Sequence, residues 1–264
     1  MKRYKALLIT GASAGIGKEI AYALAPQAEN IVLVARRADK LETLAKDLSV
    51  RFGVNAYALP ADLSVSGSAA QVFDKTIELV GRPPDLLVND AGVGFSGEAT
   101  EIPTESEVKM ITLNIESLMV LCKLALKPMY ARGSGVILNV ASVAGFQPGP
   151  YMAAYYASKA FVLSYSEALA EEARPYGVRV LTLCPGSVDT EFHFLASSKR
   201  GYLRNLVSST PQGVAWEAAR AVLLGFPERI VPGPVNKVLL FVERLLPRFV
   251  VTHLAGKFLD PRKK

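Results

Sequence analysis

Tyr155 and Lys159 stand four residues apart at the end of a run without charge from Gly133 to Ser158, so Lys159 is the first ionic side chain after 26 uncharged residues. On a helix this spacing puts both on one face, with the ammonium in reach of the phenol. A free phenol titrates near about 10 and exchanges protons poorly at neutral pH; a fixed positive charge beside it favours the phenolate and brings it toward the working range. Ser142, thirteen residues before Tyr155, follows an apolar run that reads as a strand and could bring its hydroxyl to the same substrate oxygen. Two plainer roles compete, since serines after strands are commonly caps and Tyr/Lys pairs at this spacing commonly decorate surfaces. On these residues alone both readings stand.

The rest of the chain alternates apolar runs with segments of helical periodicity. Strands are expected at Ala6 to Thr10, Ile31 to Ala35, Asn55 to Leu59, Asp85 to Asn89, Val136 to Val140, Val178 to Cys184 and, shorter, Arg229 to Val231. Helices are expected from Gly15, after Asp39, over Gly67 to Val80, Thr104 to Lys127, Ala154 to Arg174 and Val214 to Leu224. Strands that read as continuous apolar runs are buried on both faces, which predicts a Rossmann-like α/β fold: a doubly wound parallel sheet of about seven strands with helices on both faces. Right-handed crossovers then bring the ends of the strands, and Ser142 with them, to one carboxyl edge. No linker or repeat interrupts the pattern, and one domain over 1–264 is expected.

Composition narrows the function classes. Half of the 264 residues are hydrophobic and the formal net charge is +6, part of it in the terminal lysines and arginines. No basic patch interleaved with aromatics argues for nucleic acid. Cys122 and Cys184 lie in apolar surroundings without metal-ligand spacing and read as buried thiols, so no metal and a cytoplasmic location are expected. The basic start and the apolar run ending at Gly11 are too short for a signal peptide.

GASAGIG, Gly11 to Gly17, joins the first strand to the first helix. Glycines there allow a tight turn and close backbone approach, and the helix start presents free N–H groups to a pyrophosphate. At the end of the second strand, where an adenine ribose would lie, a carboxylate would suit a free 2′-hydroxyl and a guanidinium a 2′-phosphate. Arg36 and Arg37 occupy that place, which favours NADP(H) over NAD(H), with Arg36 the expected contact and Arg37 the alternative.

With these pieces in place the chain resembles the short-chain dehydrogenase/reductase family from about Lys5 to Thr190. The resemblance rests on TGASAGIG at Thr10 to Gly17, Asp62, NDAG at Asn89 to Gly92, Asn114, Ser142, the YxxxK of Tyr155 and Lys159, and PGSVDT at Pro185 to Thr190. It implies that Tyr155 moves the proton on the substrate oxygen, Lys159 lowers the tyrosine pKa and holds the nicotinamide ribose, Ser142 polarises the carbonyl, and Asn114 supports a water leading to the lysine. It further implies cofactor contacts at Gly11, Ser13, Gly15, Ile16, Gly17, Asp62, Leu63, Asn89, Ala91, Gly92, Pro185, Gly186, Val188 and Thr190. Two departures are visible: Ala14 stands where many NADP-preferring members carry a basic residue, and Asp90 replaces the second asparagine of the usual NNAG.

Apolar residues surround the expected site: Phe95, Val143, Phe146, Pro150, Tyr151 and Met152, with Phe192 and Phe194 on an expected substrate flap at 185–210. No basic residue lies between Val143 and Ser158 to clamp an anionic substrate, so a hydrophobic ketone, aldehyde or secondary alcohol fits. Reduction of a 3-oxoacyl chain on a carrier, with Lys199, Arg200 and Arg204 at the mouth, is one alternative; a cofactor-binding regulator without turnover is another. The family resemblance implies a homodimer or homotetramer built through the long helices at Thr104 to Lys127 and Ala154 to Arg174. The apolar segment 235–259 carries charges and Pro247, which argue against a spanning helix. Packing on the flap or on another subunit, or shallow attachment to a membrane surface, are its two readings.

Of the neighbouring tyrosines, only Tyr155 fits both the spacing to Lys159 and that to Ser142. Tyr155→Phe is therefore expected to abolish cofactor-dependent turnover and Tyr156→Phe to retain most of it; the reverse outcome in a steady-state assay would overturn the assignment.

Overall fold

The computed structural model describes residues 3–188 and 209–262. Among these residues seven strands, β1 (Tyr4–Thr10), β2 (Ala28–Ala35), β3 (Asn55–Pro60), β4 (Leu86–Asn89), β5 (Gly135–Val140), β6 (Val178–Leu183) and β7 (Arg229–Ile230), form one sheet in the order β3-β2-β1-β4-β5-β6-β7. Every pairing is parallel. The chain winds outward from β1 through β2 to β3, then restarts on the other side of β1 at β4. That reversal opens a crevice beyond the carboxyl ends of β1 and β4.

Period-two alternation explains why the strands read as unbroken apolar runs. Leu7 and Ile9 of β1 belong to a core with Ile20 of α1 (Gly15–Leu24), Leu41 of α2 (Ala38–Phe52) and Val214 of α7 (Pro211–Leu224). Leu8 joins the opposite core with Phe73 of α3 (Ser68–Val80), Leu121 of α5 (Leu118–Arg132) and Val162 of α6 (Ala153–Ala173). Each strand thus needs apolar side chains on both faces. The register aligns Thr10 with Asn89, Asn89 with Asn139, and Asn139 with Thr182, so the turns that follow these residues emerge at one edge.

One element departs from expectation. The helix expected over Thr104 to Lys127 is α4 (Thr104–Ile111), a π-helical stretch Thr112–Ser117, and α5, which continues through Pro128 to Arg132. A proline inside a helix costs roughly 3 kcal/mol, and burial of Leu121, Ala125, Leu126 and Met129 against the sheet offsets it. The apolar segment 235–259 forms two helices, α8 (Pro234–Leu245) and α9 (Arg248–Leu259), separated at Leu246 and Pro247. Most of the expected flap, with Thr190, Phe192, Phe194, Lys199, Arg200 and Arg204, lies outside the described residues.

Two left-handed glycines separate conformational strain from steric demand. Gly53 has φ +60° and open space where a Cβ would point, whereas at Gly11, φ +72°, a Cβ would meet the Ala91 backbone nitrogen at 2.8 Å. We expect Gly53→Ala to lower stability by about 1 kcal/mol from the left-handed backbone alone, and Gly11→Ala by a further roughly 1–3 kcal/mol from overpacking. Urea unfolding of the two variants beside the parent reads the difference; equal losses would refute the packing of the glycine turn on the Ala91 segment.

Candidate active site

The charge-free stretch folds so that the cation following it is buried. β5 ends at Val140, Ser142 starts a 3₁₀ turn Val143–Phe146, and α6 begins at Ala153, which returns Tyr155 and Lys159 to the strand ends. Lys159 is only 6 % exposed. Its Nζ donates to the Val140 carbonyl at 2.9 Å and lies 6.0 Å from the Tyr155 ring centroid. Gly92 lies beside it, where a Cβ would make ordinary contact with Nζ at 3.5 Å and crowd Asn114 Oδ1 at 3.2 Å.

Ser142 caps a turn and also reaches the tyrosine. Its Oγ caps the 3₁₀ turn by accepting from Ala144 N at 3.1 Å, it donates to the Pro185 carbonyl at 3.3 Å, and it hydrogen-bonds the Tyr155 phenol. Burial pushes the Tyr155 phenol well above its ordinary range, and the Ser142 bond opposes this only in part. In these surroundings Tyr155 is a protonated donor at neutral pH.

Asn114 sits in the π-helical stretch and is 2 % exposed. Its Oδ1 accepts from Val93 N at 3.0 Å, while Nδ2 donates to Val93 O at 2.9 Å and to Ser158 Oγ at 3.0 Å. The wider turn thus ties α4 and α5 to the loop after β4 and to α6, one residue before Lys159. Tyr156 packs differently: a Cβ at Gly149 would run into its ring, and it stands edge-on to Tyr155 at 6.0 Å.

The glycine turn meets the end of β4 through Thr10, whose Oγ1 accepts from Asp90 N at 3.1 Å and Ala91 N at 3.2 Å. Gly17 is required here as well, because a Cβ would lie 2.6 Å from Asp90 Oδ2. Asp90, which departs from the family pattern, accepts from the Gly17 N–H and faces the Lys159 charge. Asn89, one of the expected cofactor residues, turns its side chain into the sheet: it is 3 % exposed and donates to Asn139 Oδ1 at 2.9 Å and to Cys122 Sγ at 3.4 Å. Leu63 likewise places its side chain in the core, and its carbonyl accepts from Ser117 at 2.6 Å.

The residues present fit a dinucleotide. α1 begins at Gly15 with no side-chain cap and no acidic residue in its first turn, so its dipole and the amides ahead of Gly17, whose N–H goes to Asp90, face the turn where an anion would bind. Beside it a cavity of about 490 Å³ is lined by Ser13, Ala14, Gly15, Lys18 and Lys40. Arg37 reaches this turn, donating to Ser13 Oγ from Nη2 at 2.9 Å and from Nε at 3.3 Å. Arg36 is exposed and its charge acts on Asp62. Burial works against the Asp62 carboxylate, yet bonds from the Ser64 amide and hydroxyl, with the charges of Arg36 and Lys109, hold its pKa below the ordinary range. Ile16 is half-buried beside the turn.

On the substrate side Pro185 and Gly186 follow β6, and buried Asn236 of α8 packs where a Gly186 Cβ would be, 2.6 Å from its amide. Val188 is buried and bridges to Ser209. Met152 is buried, and Tyr151 is held with φ +65° while its hydroxyl accepts from Arg262 at 2.6 Å. Phe146, expected in the substrate wall, instead packs under Arg229, 5.8 Å from its ring centroid. It lines a cavity of about 580 Å³ beside α8 and α9 that includes none of Ser142, Tyr155 and Lys159.

Comparison with known proteins agrees with this geometry. The family model described as short chain dehydrogenase matches residues 5–200. A curated relative, 17-beta-hydroxysteroid dehydrogenase type 3 of Mus musculus, is 33 % identical over 222 residues, covering 83 % of this chain and 69 % of its own. Similar solved structures hold either nicotinamide cofactor. A short-chain dehydrogenase from Sphingobium yanoikuyae in complex with NADPH has a TM-score of 0.78 at 31 % identity, covering 91 % of this chain and 93 % of its own. A 3-ketoacyl-(acyl-carrier-protein) reductase from Brucella melitensis complexed with NADH has a TM-score of 0.74 at 28 % identity, covering 86 % and 95 %.

The Asp90 and Lys159 charges generate a pH prediction. Burial raises the Asp90 carboxyl to about 7 from 3.8, against Lys159 and the Gly17 amide, and lowers Lys159 to about 8, against Asp90 and Cys184. A carboxyl whose folded pKa is raised costs stability as pH climbs from its unfolded to its folded value. Asp90→Asn should therefore match the parent below 3.8 and become the more stable of the two by pH 7. Without the Asp90 charge Lys159 should lose its proton earlier, moving the alkaline limb of turnover to lower pH. Urea unfolding across this range and a pH–rate profile measure both; unchanged curves would show that Lys159 does not sense Asp90.

Proposed function

The chain belongs to the short-chain dehydrogenase/reductase family, and from that premise we propose that it is an NADPH-dependent reductase of hydrophobic ketones or aldehydes. The observation that carries this reading is the convergence of Ser142, Tyr155 and Lys159 at the sheet edge that also bears an uncapped helix start. A reduced nicotinamide bound along this edge supplies the hydride. Gly11 to Gly17 would hold its pyrophosphate, and Pro185 to Val188 its nicotinamide end.

The chain's own groups do the proton chemistry. Ser142 and Tyr155 together donate hydrogen bonds to the carbonyl oxygen, which polarises the carbon for attack. As negative charge develops on that oxygen the Tyr155 phenol transfers its proton to it. The raised phenol pKa keeps that proton in place until the oxygen becomes the stronger base. Lys159 then faces the new phenolate, its ammonium stabilising the charge until solvent returns a proton. In the reverse direction the same tyrosine, as phenolate beside Lys159, would take the proton from the alcohol.

The preference for NADPH rests on Arg37. Its bond to Ser13 sets a guanidinium at the glycine turn, where a 2′-phosphate would find a bidentate cationic partner. Arg36 remains the second candidate contact. The apolar wall of Tyr151 and Met152 supports a hydrophobic substrate, and the Brucella relative supports a 3-oxoacyl chain as the second reading. Self-association through the long helices belongs to the same proposal: Val108 and Ile111 of α4 are exposed.

Turnover assays with NADPH and NADH against hydrophobic ketones and 3-oxoacyl thioesters test this reading. Arg37→Gln should lower kcat/KM for NADPH by about 10- to 100-fold, the size of a lost charged hydrogen bond, with a much smaller change for NADH. An equal loss with both cofactors would remove Arg37 from the phosphate site. Cofactor binding without turnover of any carbonyl would make the protein a regulator.

A further inference from the structure

Helix α8 carries its apolar side chains outward. Val235, Val238, Leu239, Val242 and Leu245, continued by Leu246, recur at the spacing of one helical stripe, and they are 40 % to 70 % exposed. The residues turned toward the body are polar or mixed: Asn236 is buried, and Leu240 and Glu243 are half-buried. Burial raises the Glu243 carboxyl. This is the reverse of an ordinary surface helix, whose apolar stripe faces the core. Beyond Pro247, Phe249 and Phe258 of α9 are 75 % and 73 % exposed. An apolar surface of this extent marks a partner.

Charge identifies the partner. From Val235 to Lys264 the chain has seven lysines and arginines against two acidic residues, so this segment holds five of the six net positive charges of the whole protein. A second copy of the chain seated here about a two-fold axis would set the surface against itself, bringing Lys237, Arg244 and Lys257 toward their counterparts. An anionic lipid surface complements both properties, with apolar side chains entering the headgroup boundary and basic ones meeting the lipid charge. Among the described residues no helix is long and apolar enough to cross a membrane, so the contact lies on the surface.

We propose that α8 and α9 dock this protein on anionic membrane surfaces. The helices are tied to the active-site side of the molecule: a Cβ at Gly256 would lie 3.4 Å from Pro150, and Arg262 donates to Tyr151 and pairs with Glu98 at 3.2 Å. Docking therefore brings the wall beside Tyr155 close to the lipid, the phase in which hydrophobic carbonyl compounds concentrate. The docking itself does not depend on the reductase reading, and it is measured without turnover.

The full chain is sedimented with vesicles of phosphatidylcholine alone and of phosphatidylcholine and phosphatidylserine at about 2:1, the mixture that supplies a negative surface potential. The expected result is binding to the mixed vesicles, much weaker binding to the neutral ones, and release at about 1 M salt, where the Debye length falls to roughly 3 Å. Leu245→Glu with Phe249→Glu should abolish binding; both side chains are exposed, so an unchanged thermal transition checks the fold. Should that variant misfold, Lys237→Gln and Lys257→Gln are each expected to weaken partition about fivefold, from roughly 1 kcal/mol per basic residue near the surface. Absence from both vesicles, or equal binding to both, overturns the proposal. So does a lipid-free dimer that Leu245→Glu with Phe249→Glu dissociates, which would make a second copy the occupant.

Discussion

An ammonium group taken out of water must be given acceptors and a counter-charge, and the burial of Lys159 imposes that demand on the surrounding chain. Val140 supplies a carbonyl because β5 stops there. Asp90 supplies the opposite charge because β4 stops one residue before it. Gly92 has no side chain to crowd Asn114 Oδ1 beside Nζ. Each of these depends on where a parallel strand ends, and the register that aligns Asn89 with Asn139 fixes those ends relative to one another. The edge of the sheet is therefore arranged around one cation, with the glycine turn drawn in through Thr10 and Gly17.

The same burial governs the tyrosine. Burial raises the Tyr155 phenol, with the Ser142 hydrogen bond opposing it, and so keeps the proton on oxygen at neutral pH. Ser142 is fixed twice over, by the turn it caps and by the Pro185 carbonyl, so its hydroxyl reaches Tyr155 without loss of its structural role. Asn114 is held as firmly: three hydrogen bonds define its amide, and the π-helical stretch supplies the wider turn that brings it to them. Positioning of the phenol, the serine hydroxyl and the asparagine amide is what this arrangement contributes.

The sheet is legible in the sequence because strands covered on both faces must be apolar throughout, and Tyr155 and Lys159 are legible because a cation after a long uncharged run is conspicuous. Which way a side chain turns is harder to read. Arg36 and Arg37 are chemically alike, and only the bend after β2 decides that Arg37 meets Ser13. Asn89 and Leu63 sit in the expected segments but face the interior, because in-register pairing and core packing claim their side chains. Phe146 belongs to an apolar stretch like its neighbours, yet it packs under Arg229. The π-helical stretch leaves no composition signal, since a wider helical turn needs no special residue type.

Two different forces hold the two ends of the site. The proton-handling end is bound by apolar packing of α5 and α6 on the sheet, a large and non-directional contribution. The end formed with α8 and α9 is bound by less apolar burial, chiefly Val251 and Ala255, together with directed polar contacts: Asn236 lies over Gly186, and Arg262 engages Tyr151 and Glu98. Directed contacts of this kind are worth about 1 kcal/mol each when exposed or partly exposed, far less than a packed core. The helix pair can therefore present apolar side chains outward without contributing them to the fold, and its surface is free to be shaped by what lies outside the protein. The chemistry at Tyr155 is rigidly built, while the part of the molecule that adjoins the substrate wall is held by bonds weak enough to respond to its surroundings.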